Sequence, residues 1–174
     1  GMSLQGESLR PLWGRKAPQA RRAVLLEEFS GGTEKVAGRE LPFVGRGMIA
    51  DGRKVATLGL SMKKNVRLGL ELGIIKIPES SLIDIEQIGD YEPGQICVIS
   101  TGSQGEPLSA LSRIAQRNHH FVHLEENDTV ILASSLIPGN ENAVYRVING
   151  LSRWGATVVH KGNAMVHVSG HASA

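Results

Sequence analysis

Four short apolar runs, each leading into or out of a segment with helical periodicity, constrain this chain more than any other feature. They are Val55-Ala56-Thr57-Leu58-Gly59-Leu60, "QICVIS" at 95–100, "TVILAS" at 129–134 and "ATVVH" at 156–160. A strand apolar on nearly every residue has no face to offer water, so it must be covered on both sides. Parallel neighbours need a crossover connection of helical length, and the spacing between the runs supplies one. The expected fold class is therefore α/β, a doubly wound and mostly parallel sheet.

The intervening segments carry the matching pattern. Residues 62–72 place Met62, Val66 and Leu70 at helical spacing. After the second run, Pro107 stands where a helix start tolerates its missing N–H, followed by Leu108, Leu111, Ile114 and Ala115. Residues 141–154 align Ala143, Val144, Val147, Ile148 and Leu151 on one face, and Gly155 closes that helix. The stretch 74–92 breaks the rhythm and is expected to hold a short strand and a short helix. No longer internal repeat is visible.

Residues 1–47 read differently. Arg, Gly and Pro are mixed through them, and the one apolar stretch, 23–29, predicts at most a short helix in a solvated tail. The opening Gly-Met-Ser-Leu resembles a residual cloning sequence. At 174 residues the chain is the size of one domain, and its net charge of +2 creates no field that demands a nucleic acid or a membrane. The single cysteine, Cys97, lies inside an apolar run and is expected to be a buried thiol in a reducing compartment. No apolar run approaches the roughly 18 residues of a membrane span, and no signal pattern opens the chain. A cytoplasmic protein without a membrane partner is the expectation.

In doubly wound sheets the loops leaving the carboxyl ends of the strands gather on one edge, where ligands bind. Here they are "SMKKN" (61–65), "TGSQGEP" (101–107), "SSLIPGNE" (134–141) and "KGNAMVHVSGH" (161–171). Each is rich in Ser, Gly, Asn or Lys, which supply hydroxyls, closely approachable backbone N–H groups and helix N-termini that suit an anion. Together they predict a phosphate-binding edge, with Ser103, Gln104 and Ser135 among its contacts. Neither a Walker sequence nor a dinucleotide fingerprint is present, and a tight turn followed by a helix cap has the same composition. Lys63 and Lys64 fall in the first turn of their helix, against its dipole; a nearby anion would account for them, and so would a solvated face. His167 and His171 are four apart, but Ser169-Gly170 between them opposes a helix, and no Asp, Glu or Cys nearby completes a metal set. Phosphate binding or a strand-end hydrogen bond remain open for His167, whereas His171, set among small donors, points to phosphate. His119, His120 and His123 are expected at the surface of the opposite edge.

Three long stretches, "ISTGSQGEPLSALSRIA", "DTVILASSLIPGNENAVYRVINGL" and "GATVVHKGNAMVHVSGHAS", closely resemble the β-CASP domain of ribonuclease J, in the metallo-β-lactamase nuclease superfamily. The resemblance runs nearly without interruption from about residue 50 to 174. It implies a partial β-CASP domain at 48–174, with an N-terminal segment, 1–47, unlike the family. It also implies an RNA-processing nuclease with 5′-to-3′ exonuclease and endonuclease action, whose two zinc ions activate a water on a separate metallo-β-lactamase domain. His171 matches the family's catalytic motif B histidine. Ser169, Gly170 and neighbouring groups, Ser173 among them, match the small-residue pocket for an RNA 5′-monophosphate, and His167, in the same motif, is implied as a further phosphate-binding residue. RNA, the metallo-β-lactamase domain and a homo-oligomeric partner are the partners implied.

The departures from the family are equally plain. No His-x-His-x-Asp-His zinc motif occurs in the chain, and no family motif C follows His171. Zinc ligands are thus absent and hydrolysis by this chain alone is not expected. Residues 1–47 stand where the family has a strand and a helix, so an incomplete sheet is expected, from a fragment, a frameshifted product or a chimera. The rival reading is a nucleotide- or phosphosugar-binding module without nuclease activity, which would need a ribose-holding acid at the end of its second strand. None is identifiable. A third is a product that folds poorly because a sheet neighbour is lost, leaving an apolar edge to self-associate.

Overall fold

The structure, a computed structural model, describes residues 22–26, 33–36, 39–42, 52–73 and 77–164. Among the described residues six strands form one parallel sheet, in the spatial order Leu82–Ile83, Lys54–Leu58, Ile96–Ser100, Arg22–Leu26, Thr129–Leu132 and Thr157–Val159. They are β1 (Arg22–Leu26), β4 (Lys54–Leu58), β5 (Leu82–Ile83), β6 (Ile96–Ser100), β7 (Thr129–Leu132) and β8 (Thr157–Val159). A separate antiparallel pair joins β2 (Thr33–Val36) to β3 (Arg39–Pro42). Among the described residues three α-helices follow three of the strands: α1 (Leu60–Glu71), α2 (Ala110–Ala115) and α3 (Glu141–Arg153). The expected α/β, doubly wound architecture is the one observed.

Buried apolar residues lie on both faces of the sheet, because successive strand residues point to opposite sides. Ala56, Leu58, Ile96, Val98, Val130, Leu132 and Val158 pack with α2 and α3 into one cluster. Their alternates Val55, Cys97, Ile99, Ile131 and Val159 pack with Met62 and Val66 of α1 into another. The continuous apolar runs are thus two period-2 patterns superposed. Cys97 is a buried free thiol, as expected.

The segment 74–92 holds the short strand β5 and the 3-10 turn Ile85–Asp90, which is closed at its start by a reciprocal capping box between Asp84 and Gln87.

Three expectations are corrected. Residues 22–26 form a strand, not part of a short helix, and that strand pairs with β6 on one side and β7 on the other. A short apolar run fits either state locally, and two parallel ladders decide for the strand. The chain therefore supplies its own central strand from the segment expected to lie outside the sheet. Leu108 does not join the apolar face of α2: it is 91% exposed, because the helix begins at Ala110 and Ser109 caps it by accepting from Ser112 N. His119 is buried rather than at the surface. Among the described residues no helix is long and apolar enough to cross a membrane.

Candidate functional site

The connections place the ligand-binding crevice. From β4 the chain passes through α1 to β5 on one side, and from adjacent β6 it passes through α2 to β7 on the other. Connections diverging from neighbouring parallel strands leave a crevice at their carboxyl ends, the switch point where such sheets hold ligands. Its two lips are the residues after Leu58 and those after Ser100, and they touch: a Cβ on Gly59 would lie 3.2 Å from the Thr101 hydroxyl. Gly59 adopts φ 108°, a conformation that side chains resist, so this position is reserved for glycine both by backbone and by space.

One lip is the start of α1. Its N-cap, Gly59, offers no side-chain cap, and its first turn contains no acid, so the leading N–H groups keep their partial positive charge. The other helices differ. Ser109 caps α2, and α3, whose N-cap Asn140 likewise makes no side-chain cap bond, carries the acid Glu141 in its first turn. Lys63, in the first turn of α1, donates to the Asp84 carboxylate. That hydrogen bond first, and the charge of Asp84 second, raise the Lys63 pKa above its ordinary value. The anion sought for this lysine is therefore internal.

The other lip is the loop 101–109. It turns through a Gly105 N to Gly102 O bond of 3.1 Å, then through Ser109 N to Glu106 O at 3.0 Å. Ser103 and Gln104 lie almost wholly buried within it, while Glu106 is exposed. Gln104 joins this loop to the one after β7. Its Nε2 donates to the Ser135 carbonyl at 2.8 Å and approaches the Ser134 hydroxyl at 3.5 Å. Its Oε1 accepts from Ile137 N at 3.1 Å and from Asn140 Nδ2 at 3.5 Å. Behind it, Gly105 sits directly against α3: a Cβ there would come 2.5 Å from the Ala143 carbonyl carbon and 2.8 Å from Val144 N.

Beyond β8 the edge continues as a fastened turn. His160 N donates to Asn163 Oδ1 at 2.8 Å, Asn163 Nδ2 donates to the Val158 carbonyl at 2.9 Å, and Gly162 N donates to His160 Nδ1 at 3.1 Å.

Of the residues singled out from sequence, Ser103, Gln104 and Ser135 are brought to one edge, Gln104 and Ser135 in direct contact. His167, Ser169, Gly170, His171 and Ser173 lie outside the described residues. Thr101, Asn140, His160 and Asn163 shape the same edge and were not singled out. The signal for Asn140 and Asn163 was present, since Asn in Gly-Asn loops bonds nearby backbone. Among the described residues no group of three His, Cys, Asp or Glu side chains is placed to hold a metal ion. The described residues thus do not fit a zinc centre.

Residues 34–151 match the family described as ribonuclease J, beta-CASP domain. A protein named ribonuclease J from Mycobacterium tuberculosis is 48% identical over 126 residues, covering 72% of this chain and 23% of the relative. One of the same name from Corynebacterium glutamicum is 38% identical over 171 residues, 98% of this chain and 23% of its own length. Another from Helicobacter pylori is 34% identical over 173 residues, 99% of this chain and 24% of its own. The chain thus spans about a quarter of the length of these relatives. The two long alignments run through the segment that carries β1 as well as through the crevice loops. A match over most of the chain, on a parallel sheet with its crevice at the carboxyl edge, makes this chain a member of the ribonuclease J beta-CASP family.

Proposed function

We propose that this chain is the β-CASP portion of a zinc-dependent RNA-processing nuclease with 5′-to-3′ exonuclease and endonuclease action, and that its carboxyl edge seats the 5′-monophosphate and backbone phosphates of RNA. The observation that carries the reading is the crevice between β4 and β6, where the uncapped start of α1 faces the loop 101–109. Backbone N–H groups and hydroxyls there can hold phosphoryl oxygens without needing a large net charge. Ser103 and Ser135 are the described hydroxyls assigned to this seat. His167, Ser169, Gly170 and Ser173 complete the pocket, and His171 stabilises charge developing on the scissile phosphate.

The zinc ions implied by the family resemblance would be held by residues of a metallo-β-lactamase domain of the longer protein and would supply water activation there, not on this chain. This chain contributes the hold on the anion. RNA and that domain are its partners, a homo-oligomer its assembly and the cytoplasm its location.

The test is a binding titration of the full chain with a short 5′-monophosphorylated RNA and with the same RNA bearing a 5′-hydroxyl. Tighter binding of the phosphorylated form, lost on His171→Ala, supports the seat; equal affinity for both RNAs and both proteins refutes it. Preference for a mononucleotide over RNA favours the nucleotide-binding module instead. The same samples with added zinc should show no turnover, and robust cleavage would place the metal centre within this chain.

A further inference from the structure

We propose that Gln104 is a positioning residue: it fastens the crevice loop 101–109 to the loop after β7, across the end of the intervening strand β1, and so sets the geometry of the phosphate seat without touching the ligand. The proposal rests on the phosphate reading of the crevice above.

Strands β6 and β7 are not neighbours. Leu26 of β1 pairs with Ser100 on one side and Leu132 on the other, so the loops leaving β6 and β7 start about 9–10 Å apart. Nothing in the sheet itself fixes one loop relative to the other. Gln104 bridges them through its amide alone, donating to the Ser135 carbonyl at 2.8 Å and accepting from Ile137 N at 3.1 Å. The partners fix the orientation of the amide, since a carbonyl needs the NH2 and an N–H needs the oxygen. Its donor is engaged by Ser135 O, with Ser134 Oγ at 3.5 Å, and its acceptor by Ile137 N, with Asn140 Nδ2 at 3.5 Å. One N–H of the amide is committed to the Ser135 carbonyl and the Ser134 hydroxyl lies within 3.5 Å of the same nitrogen, so the group is directed at the β7 loop.

The clamp reaches both ends of the site. Gly105, the next residue, is seated so closely on the first turn of α3 that no side chain would fit between the loop and the helix. Thr101, at the other end of the loop, abuts Gly59 at the start of α1. Releasing Gln104 frees the middle of the loop, and the distance between the α1 N–H groups and the Ser103 and Ser135 hydroxyls is no longer held. Misplacement by as little as an ångström matters in a site made of fixed donors.

Two readouts on the full chain test this: amide hydrogen exchange of the peptide 133–140, and affinity for 5′-monophosphorylated RNA. Gln104→Ala, and Gln104→Glu, which keeps the shape but sets an oxygen against the Ser135 carbonyl, are both expected to speed exchange at Ile137 and its neighbours. Both should also weaken RNA binding about five- to tenfold, the scale of one or two lost internal hydrogen bonds. Ser135→Ala retains the main-chain carbonyl and should exchange at the parent rate. Weaker binding with unchanged exchange would make Gln104 a direct ligand and overturn the proposal. Faster exchange with unchanged affinity would reduce it to a loop tie, and faster exchange in Ser135→Ala would remove Gln104 as the cause. If the parent chain binds no RNA, the phosphate reading falls and this inference with it, whereas RNA binding indifferent to both Gln104 variants overturns this inference alone.

Discussion

His119 Nδ1 accepts main-chain bonds from Phe121 N at 3.3 Å and Val122 N at 3.2 Å, and only the neutral ring can do so. Burial first, then the charges of Arg113, His123 and His120, lower its pKa below the ordinary value. An unfolded histidine takes its proton near pH 6.5, before the folded one does. Stability is thus flat above that pH and falls as the pH drops from about 6.5 toward the lower folded value, where the loss levels off. Thermal unfolding between pH 7.5 and 5 should show this fall, and His119→Gln should flatten it. Gly105 carries a second prediction at this scale, because it combines φ 75° with direct contact on the backbone of α3. Gly105→Ala adds left-handed strain to overlap and should cost about 2–4 kcal/mol in a denaturant titration. A glycine between Gln and Glu was visible in "GSQGEP"; its contact with residues 143 and 144, almost forty positions on, was not.

The helix pair α2 and α3 shows how elements reinforce one another. Trp154, at the end of α3, donates its indole N–H to the Ala115 carbonyl at the end of α2, 2.8 Å away, and satisfies an orphan helix-end acceptor. Arg117 lies over the Trp154 ring at 4.1 Å. Gly150 lets the helices approach, since a Cβ there would be 3.0 Å from that same carbonyl. Trp154→Phe should lose about 1–2 kcal/mol from the unsatisfied carbonyl and the weakened stacking. Leu111→Ala, at a fully buried position of α2, should lose about 2–5 kcal/mol. Chemical denaturation reads both. The helical pattern of residues 141–154 was legible because its apolar positions repeat with the helix period, and the observed helix, Glu141–Arg153, matches it closely. The start of α2 was misjudged because Pro107 suggested the first turn, whereas Ser109 makes the cap. The strand Arg22–Leu26 was read as helix because five apolar-rich residues carry no period long enough to decide.

At the scale of the molecule, the order β5-β4-β6-β1-β7-β8 makes the earliest strand a central one. A chain beginning after residue 32 would leave β6 and β7 without their shared neighbour, exposing two unpaired strand edges within the sheet. It should lose cooperative unfolding and associate, as followed by calorimetry and light scattering; a monomer with the parent's unfolding transition would contradict this role for β1. Alternating apolar runs and amphipathic segments were enough to establish layered α/β architecture, a crevice on the carboxyl edge and the loops that line it, because burial on two faces imposes its pattern residue by residue. Strand order, the place of residues 22–26 and the bond from Gln104 to the β7 loop came only with the folded chain. These depend on which distant segments offer a partner, and hydrogen bonds between loops leave no period in a sequence.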